Sequence, residues 1–354
     1  MHNDTKIEEG EHNMINKKHL VLLASAGAIT LAGVATAQAD TLEDTRERGA
    51  VQCGVSDGLP GFSAPDDNGN WQGLDVDVCR AVAAAVLGDA DAVNYISLNA
   101  VERFTALQSG EVDILSRNTT WTTTRDTTLG LNFTGVNFYD GQGFMVSRDL
   151  GITSAAELDG AAICIQSGTT TELNLADYFR ANGMEFDPIV FDTSEQTVGG
   201  FQAGRCDVLT SDTSQLAALR IQLDDPAGAM ILPDVISKEP LGPVVRQGDD
   251  LWFNIVKWSL FAMINGEEYG VTSENAEEML SSDNPDVARL LGQDGNYGEG
   301  MGLDADWAYN ILSQVGNYGE SFERNVGMGS PLEIERGVNA LWNQGGFQYA
   351  PPIR

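Results

Sequence analysis

Histidine is confined to one end of this 354-residue chain: His2, His12 and His19 are the only three. All precede Ala39, in a segment with its own signature. A short basic start, Asn16-Lys17-Lys18-His19, leads into an apolar, small-residue run over 20–35, and Ala37-Gln38-Ala39 offers a small-x-small cleavage site. This reads as a secretory signal peptide over 1–39, cut after Ala39, with Met1 or Met14 as the translation start. The alternative is an N-terminal membrane anchor, against which stands the lack of a polar stop-transfer block or an aromatic belt behind it. The exported chain would then hold no histidine. That excludes Ser-His-Asp and Cys-His catalysis and every histidine-ligated metal site, and neither a metal nor a cofactor is expected.

Positive charge is scarce as well, with 20 Lys and Arg against 52 Asp and Glu and a net charge of −32. Without residues 1–39 the balance is 48 acids to 17 bases, so the acidity belongs to the mature protein. Nucleic acid and anionic membrane surfaces are poor partners for such a chain. No run beyond residue 35 is apolar enough to span a bilayer. Cysteine is limited to Cys53, Cys79, Cys164 and Cys206, none at metal-type spacing. An even count in an exported chain invites disulfides. Of the three pairings, the local one joins Cys53 to Cys79 and Cys164 to Cys206; four buried thiols are the alternative.

What is present is a strand–helix alternation with short loops, over one large or two medium domains. Strands are expected at 50–55, 93–96, 112–115, 161–165, 189–191 and 206–209. Helices are expected at 78–86, where Val78, Ala81, Val82, Ala85 and Val86 recur at helical spacing before Gly88, and at 101–108 and 170–179. Such alternation argues for parallel sheets covered by helices. The last third reads as mostly helical, with helices at 307–315, 320–325 and 331–342. Residues 107–118 also line up without gaps on 201–212: Gln, Gly, Asp and Leu coincide. Either any helix–Gly–strand corner looks like this, or the chain holds two similar α/β lobes. In the second case Asn118 and Asp212 are equivalent, each just past a strand's carboxyl end, where open α/β sheets bind ligands.

Three stretches could carry chemistry. Ser116 to Arg125 is a hydroxyl-rich loop ending in a guanidinium. Arg125 and Thr120 could hold a carboxylate, unless Arg125 pairs with Asp126 or another surface acid. Gln166-Ser167-Gly168-Thr169-Thr170-Thr171 sits between a strand and a helix; it offers backbone N–H groups to an anion, or is an ordinary Ser/Thr N-cap. Asp212, in Thr210-Ser211-Asp212-Thr213, could take an ammonium or cap a helix.

These residues, in this order, resemble the solute-binding proteins of ABC importers for polar amino acids, and among them the branch with general L-amino-acid specificity. The motifs that carry the resemblance are Gly69 to Asp77, Glu102 to Gly110, Leu115 to Trp121, Gly141 to Val146, Gln166 to Glu172, Ile236 to Pro243, Gly316 to Glu320 and Asn339 to Asn343. The resemblance implies an α/β, two-lobe periplasmic-binding-protein type II fold, each lobe a mostly parallel sheet flanked by helices. Lobe 1 would be 40–145 plus 242–354 and lobe 2 would be 146–241, joined by hinge strands near Phe144 and Val244. It implies that Arg125 clamps the ligand carboxylate with Thr120 and with Gly168, Thr169 and Thr170 of the opposite lobe. Asp212 would take the ammonium with Asn118, a position where the family more often has Ser or Thr. Arg103 would meet an acidic side chain, unless it forms a surface ion pair with Glu102, and Phe62, Trp121 and Leu59 would line the same end.

The implied protein is a periplasmic monomer, not an enzyme, that captures a free L-amino acid by lobe closure and hands it to an inner-membrane ABC permease. Two alternatives remain open on the same fold. One is a dehydratase of the cyclohexadienyl type, for which Glu172 is the only nearby acid. The other is a ligand-sensing partner of a chemoreceptor.

Overall fold

A computed structural model describes residues 40–354. The leader, its cut after Ala39 and the choice between Met1 and Met14 lie outside the described residues. The first part of the chain runs α1 (Thr41–Arg48), β1 (Val51–Val55), a short hairpin β2 (Ala64–Pro65) and β3 (Trp71–Gln72), α2 (Leu74–Leu87), β4 (Val93–Ser97), α3 (Arg103–Ser109), β5 (Ile114–Leu115), α4 (Thr123–Thr128), β6 (Leu131–Phe133) and β7 (Phe138–Asp140). The middle runs β8 (Gln142–Ser147), β9 (Ala161–Gln166), α5 (Thr170–Asn182), β10 (Phe186–Phe191), α6 (Ser194–Gln202), β11 (Val208–Asp212), α7 (Thr213–Arg220) and β12 (Ala229–Ile231). The chain returns through β13 (Glu239–Leu241) and β14 (Val244–Arg246) to α8 (Asp250–Glu268), α9 (Ala276–Met279), α10 (Pro285–Leu290), α11 (Trp307–Gln314) and α12 (Tyr318–Asn325).

Two five-stranded sheets result, with orders β4-β1-β5-β14-β6 and β10-β9-β11-β8-β12. The orders are the same once strands are matched by position. In each sheet four strands run one way and one runs against them. The opposed strand is β14 in the first sheet and β8 in the second, the strand by which the chain arrives from the other lobe. Parallel strands need crossover helices, and those helices bury the sheet faces. All but two of the 14 residues of α2 are buried, because α8 and α11 cover its outer side. Cys79 on α2 is bonded to Cys53 on β1, and Cys164 on β9 to Cys206 before β11.

The lobes are joined by a two-stranded ribbon in which β7 and β13 pair antiparallel, Asp140 opposite Glu239 and Phe138 opposite Leu241. Residues 119–121 lie along β13: the Trp121 N–H donates to Pro240 O at 2.8 Å and the Gly242 N–H to Thr119 O at 3.0 Å. The ribbon falls a few residues before the hinge expected near Phe144 and Val244. Phe144 is mid-strand in β8, so a boundary at 145/146 would cut that strand. Residues 331–342 are not a helix; they hold one short turn, Gly337–Asn339. Two positive-φ residues, Glu333 (49°) and Gly337 (46°), break the expected helix. Asn339 instead pairs with both backbone groups of Tyr139, at 2.7 and 3.0 Å, so tertiary bonding outweighs a weak periodicity.

Candidate functional site

The carboxyl ends of β5 and β11 face each other across the gap between the lobes. A cavity of about 20 Å³ lies there, lined from the first lobe by Arg103, Arg117, Asn118 and Thr120, and from the second by Gln166, Thr169, Thr170, Thr171, Ser211, Asp212 and Gln215. That is room for one or two waters, at ~10–15 Å³ each, so a larger ligand needs the lobes farther apart. A larger depression of about 490 Å³ sits outside the interlobe gap, against β10 and α6 around Phe191, Asp192 and Arg205, and its lining comes from the second lobe alone.

Asp212 is 5% exposed and precedes the first residue of α7, yet its side chain makes no capping bond. Asp140 on β7 does that work instead, accepting from the Thr213 hydroxyl and the Ser214 N–H. One oxygen of Asp212 is left with no hydrogen-bond partner. Burial pushes the Asp212 carboxyl well above its usual range, and the neighbouring Asp140 and Glu239 add to this; Arg125 and Arg103 oppose it.

Three guanidiniums cluster in the first lobe; Arg103 and Arg117 line the cavity, and Arg125 lies behind Thr120 and is not among the lining residues. Arg103 on α3 is 3% exposed, points along the cavity wall and makes no hydrogen bond or ion pair among the described residues; its Nε is unpartnered. The surface pairing with Glu102 is absent. Arg117 is equally buried and donates from Nε to Leu98 O at 2.8 Å. Arg125 is the third residue of α4, placed there because the Thr122 hydroxyl caps that helix. It donates from Nη1 to Thr120 O at 2.9 Å and makes no ion pair with Asp126. The Arg103 and Arg125 guanidiniums both lie over the Phe104 ring, at 4.7 and 5.1 Å. Burial holds all three below the ordinary arginine range. For Arg103 the repulsion from Arg117 and Arg125 adds to that; for Arg125, pushed down to about 10, Glu239 and Asp212 offset it.

Asn118 has φ of +33°, a conformation that asparagine tolerates better than most residues. Its N–H donates to Asp75 at 2.7 Å, which fixes the turn. A directed chain then sets its amide. Asn118 Nδ2 donates to Gln215 Oε1 at 3.0 Å, Gln215 Nε2 to Ser194 Oγ, Ser194 Oγ to Gln166 Oε1, and Gln166 Nε2 to Asp192 O. The chain ends on a carbonyl, which can only accept, so each amide has one allowed orientation. The Asn118 Oδ1 is thereby left without a partner, able to accept.

Thr169 caps α5, accepting from the Glu172 N–H, and Thr170 reaches both Thr120 (3.3 Å) and Glu239 (2.8 Å). Gly168 adopts φ +72°, and a Cβ there would come within 3.0 Å of Val101; glycine lets this loop approach the first lobe closely. Glu172 accepts from the Gly168 N–H within its own helix start and is not among the cavity residues. Phe62 and Leu59 are not at the cavity either. Each is 1% exposed in the first-lobe core, and Phe62 meets Phe138 edge-on at 5.4 Å. Trp121 is 39% exposed and stacks on Phe133. Sequence reasoning missed Arg117, Phe104, Glu239 and Gln215. Glu239 opens the short strand β13 directly after Ser237-Lys238, and no local signal marks it.

Residues 51–275 match the bacterial extracellular solute-binding proteins, family 3. The general L-amino acid-binding periplasmic protein AapJ of Rhizobium johnstonii is 59% identical over 95% of this chain and all of its own length. The glutamate/glutamine/aspartate/asparagine-binding protein BztA of Rhodobacter capsulatus is 53% identical over 93% of this chain and 98% of its own. Among solved structures, an ABC transporter periplasmic binding protein from Brucella ovis with glutathione bound is 57% identical, with a TM-score of 0.88 over 89% of this chain and all of that one.

Proposed function

This chain belongs to the bacterial extracellular solute-binding proteins, family 3, a binding protein of an ABC amino-acid importer and not an enzyme, and we propose that it captures free L-amino acids carrying a second carboxylate. Asp212 takes the ligand ammonium together with Asn118 Oδ1. Arg125, Thr120 and the start of α5 take the α-carboxylate, and Arg103 with Arg117 takes the distal one. The single observation that carries this reading is a pair of opposed, buried and unsatisfied groups on one cavity. An oxygen of Asp212 and Nε of Arg103 have no partner among the described residues, and an unpaired buried ionisable group is costly unless a ligand supplies its partner. The names of relatives that bind general L-amino acids, or glutamate, glutamine, aspartate and asparagine, support an amino-acid ligand and include the acidic ones; the preference for a second carboxylate rests on the guanidiniums. Glutathione, bound by the Brucella ovis protein, has the same zwitterion and a distant carboxylate.

Ligand groups that touch both lobes favour their closure. A micromolar site needs about −8 kcal/mol, within reach of several charge-assisted anchors. We place the mature protein in the periplasm, freed by cleavage of 1–39, as a monomer that docks on an inner-membrane permease. Calorimetry against free L-amino acids and glutathione tests the reading. L-Glutamate and L-aspartate should bind more tightly than L-leucine and L-lysine. Equal affinity for all four would remove Arg103 and Arg117 from the site, and no binding by any would overturn the amino-acid assignment.

A further inference from the structure

Glu239 is 1% exposed, lies on the ribbon strand β13 and is not a cavity-lining residue. Its carboxylate accepts three hydrogen bonds, all from outside the first lobe's sheet: from Thr170 Oγ1 (2.8 Å), Asn174 Nδ2 (2.7 Å) and Ser237 Oγ (2.7 Å). Ser237 is in turn tied to the N–H of Gln142 at the start of β8. Glu239 therefore travels with the second lobe. Its bond to Thr170 fixes a direction. A hydroxyl has one hydrogen, and a carboxylate can only accept. Thr170 spends its hydrogen on Glu239, so in the 3.3 Å contact between Thr170 and Thr120 it is Thr120 that donates. Thr120 is held to the first lobe by Arg125 and lies against β13 at Leu241.

We propose that Glu239 is a positioning residue for a lobe-to-lobe latch. It turns Thr170 into a pure acceptor, onto which the Thr120 hydroxyl of the first lobe closes. A ligand carboxylate arriving at Thr120 then replaces an existing bond rather than filling a gap, so the latch sets how far the ligand-free protein rests closed. This rests on the reading of two lobes that open and close about the β7–β13 ribbon, but not on which ligand is bound.

The test is the interlobe distance in the ligand-free mature chain, measured by double electron–electron resonance with labels at the exposed positions Asp89 and Asp187. Glu239→Gln should lower the population at the shorter distance about threefold or more. Thr120→Val should lower it equally, and the double variant no further, since both act through one contact. Thr170→Ser, which keeps the hydroxyl, should match the wild type. A merely structural role for Glu239 would instead show as a lowered Tm with unchanged distances. An unchanged distance distribution in Thr120→Val, or additive effects in the double variant, would overturn the latch. If Glu239→Gln does not fold, Thr120→Val against Thr170→Ser decides alone. No ligand enters the measurement, so a wrong amino-acid assignment leaves its outcome readable.

Discussion

The corner that ends α3 and begins β5 and the corner that ends α6 and begins β11 are built alike and finished differently. In both, a glycine with positive φ follows the helix, Gly110 at +80° and Gly204 at +68°. In both, an aspartate three residues later closes a pair of bonds onto the neighbouring parallel strand. The Asp113 N–H donates to Gln52 O and its carboxylate accepts from the Gln52 N–H; Asp207 does the same with Ala162. In both, the residue five further on carries a buried oxygen without a partner facing the cavity: Asn118 Oδ1 and Asp212 Oδ1. The finish differs in charge. The first corner ends on a neutral amide and places its ionised group farther on, at Arg125. The second ends on the carboxylate itself. The repeated scaffold thus places two acceptor oxygens on one cavity, and the guanidinium of opposite charge lies outside the repeat, at Arg125.

The comparison breaks most readily at Arg125. Arg125→Ala should weaken L-glutamate binding at least 100-fold, about 3 kcal/mol, by calorimetry. Its fold contribution is one bond to Thr120 O and contact with Phe104, so unfolding free energy should fall by only about 1 kcal/mol. Normal binding by this variant would take the guanidinium out of the site.

Asp212→Asn makes the two corners alike and should cost about tenfold or more in affinity. The pH dependence is the sharper readout. Burial beside Asp140 and Glu239 holds the free carboxyl protonated to unusually high pH, while an ammonium partner favours the ionised form. Binding must then release a proton below that raised pKa, so wild-type affinity should rise with pH above the ordinary carboxylate range and level off once Asp212 is ionised. Asp212→Asn should lose that slope. A slope that survives assigns it to another group. Adding Asn118→Asp to Asp212→Asn exchanges the two finishes. If the corners are equivalent, the exchange should recover severalfold of the lost affinity.

The alignment of 107–118 on 201–212 made these corners legible in the sequence, since Gly110 and Gly204 both take the positive φ after a helix and Asp113 and Asp207 both bond the neighbouring parallel strand. The alternation of strands and helices was legible because Val78 to Val86 and Gly88 act within a few residues of themselves. Arg117 and Glu239 were not, because the partner that makes each matter sits in another element and no repeat marks the pairing. Arg117 meets Leu98 O, and Glu239 meets Thr170 and Asn174. Phe62 was assigned to the site by resemblance alone, and no local pattern separates an aromatic at a cavity from one packed on Phe138. The helix expected at 331–342 failed for the converse reason. Its periodicity was real but weak, and the bonds of Asn339 to Tyr139 and of Arg336 to Glu267 favour another conformation.

The smallest effect separates shared scaffold from local surroundings. Asp113 and Asp207 make the same strand bonds, but Asp113 is 4% exposed and also meets Arg48 and Thr45 of α1, whereas Asp207 is solvent-exposed. The covering comes from α1 and α8; Trp252 on α8 donates to Asp113 O at 2.9 Å. Asp113→Ala should therefore destabilise by roughly 2–4 kcal/mol, leaving the part-buried Arg48 guanidinium without its ion partner and the Gln52 N–H without its acceptor. Asp207→Ala should cost only about 0.5–1 kcal/mol, one hydrogen bond that water can replace. Chemical denaturation of the two variants measures the gap. Equal losses would mean that the strand bond itself, and not the added helices, carries the stability of the first corner.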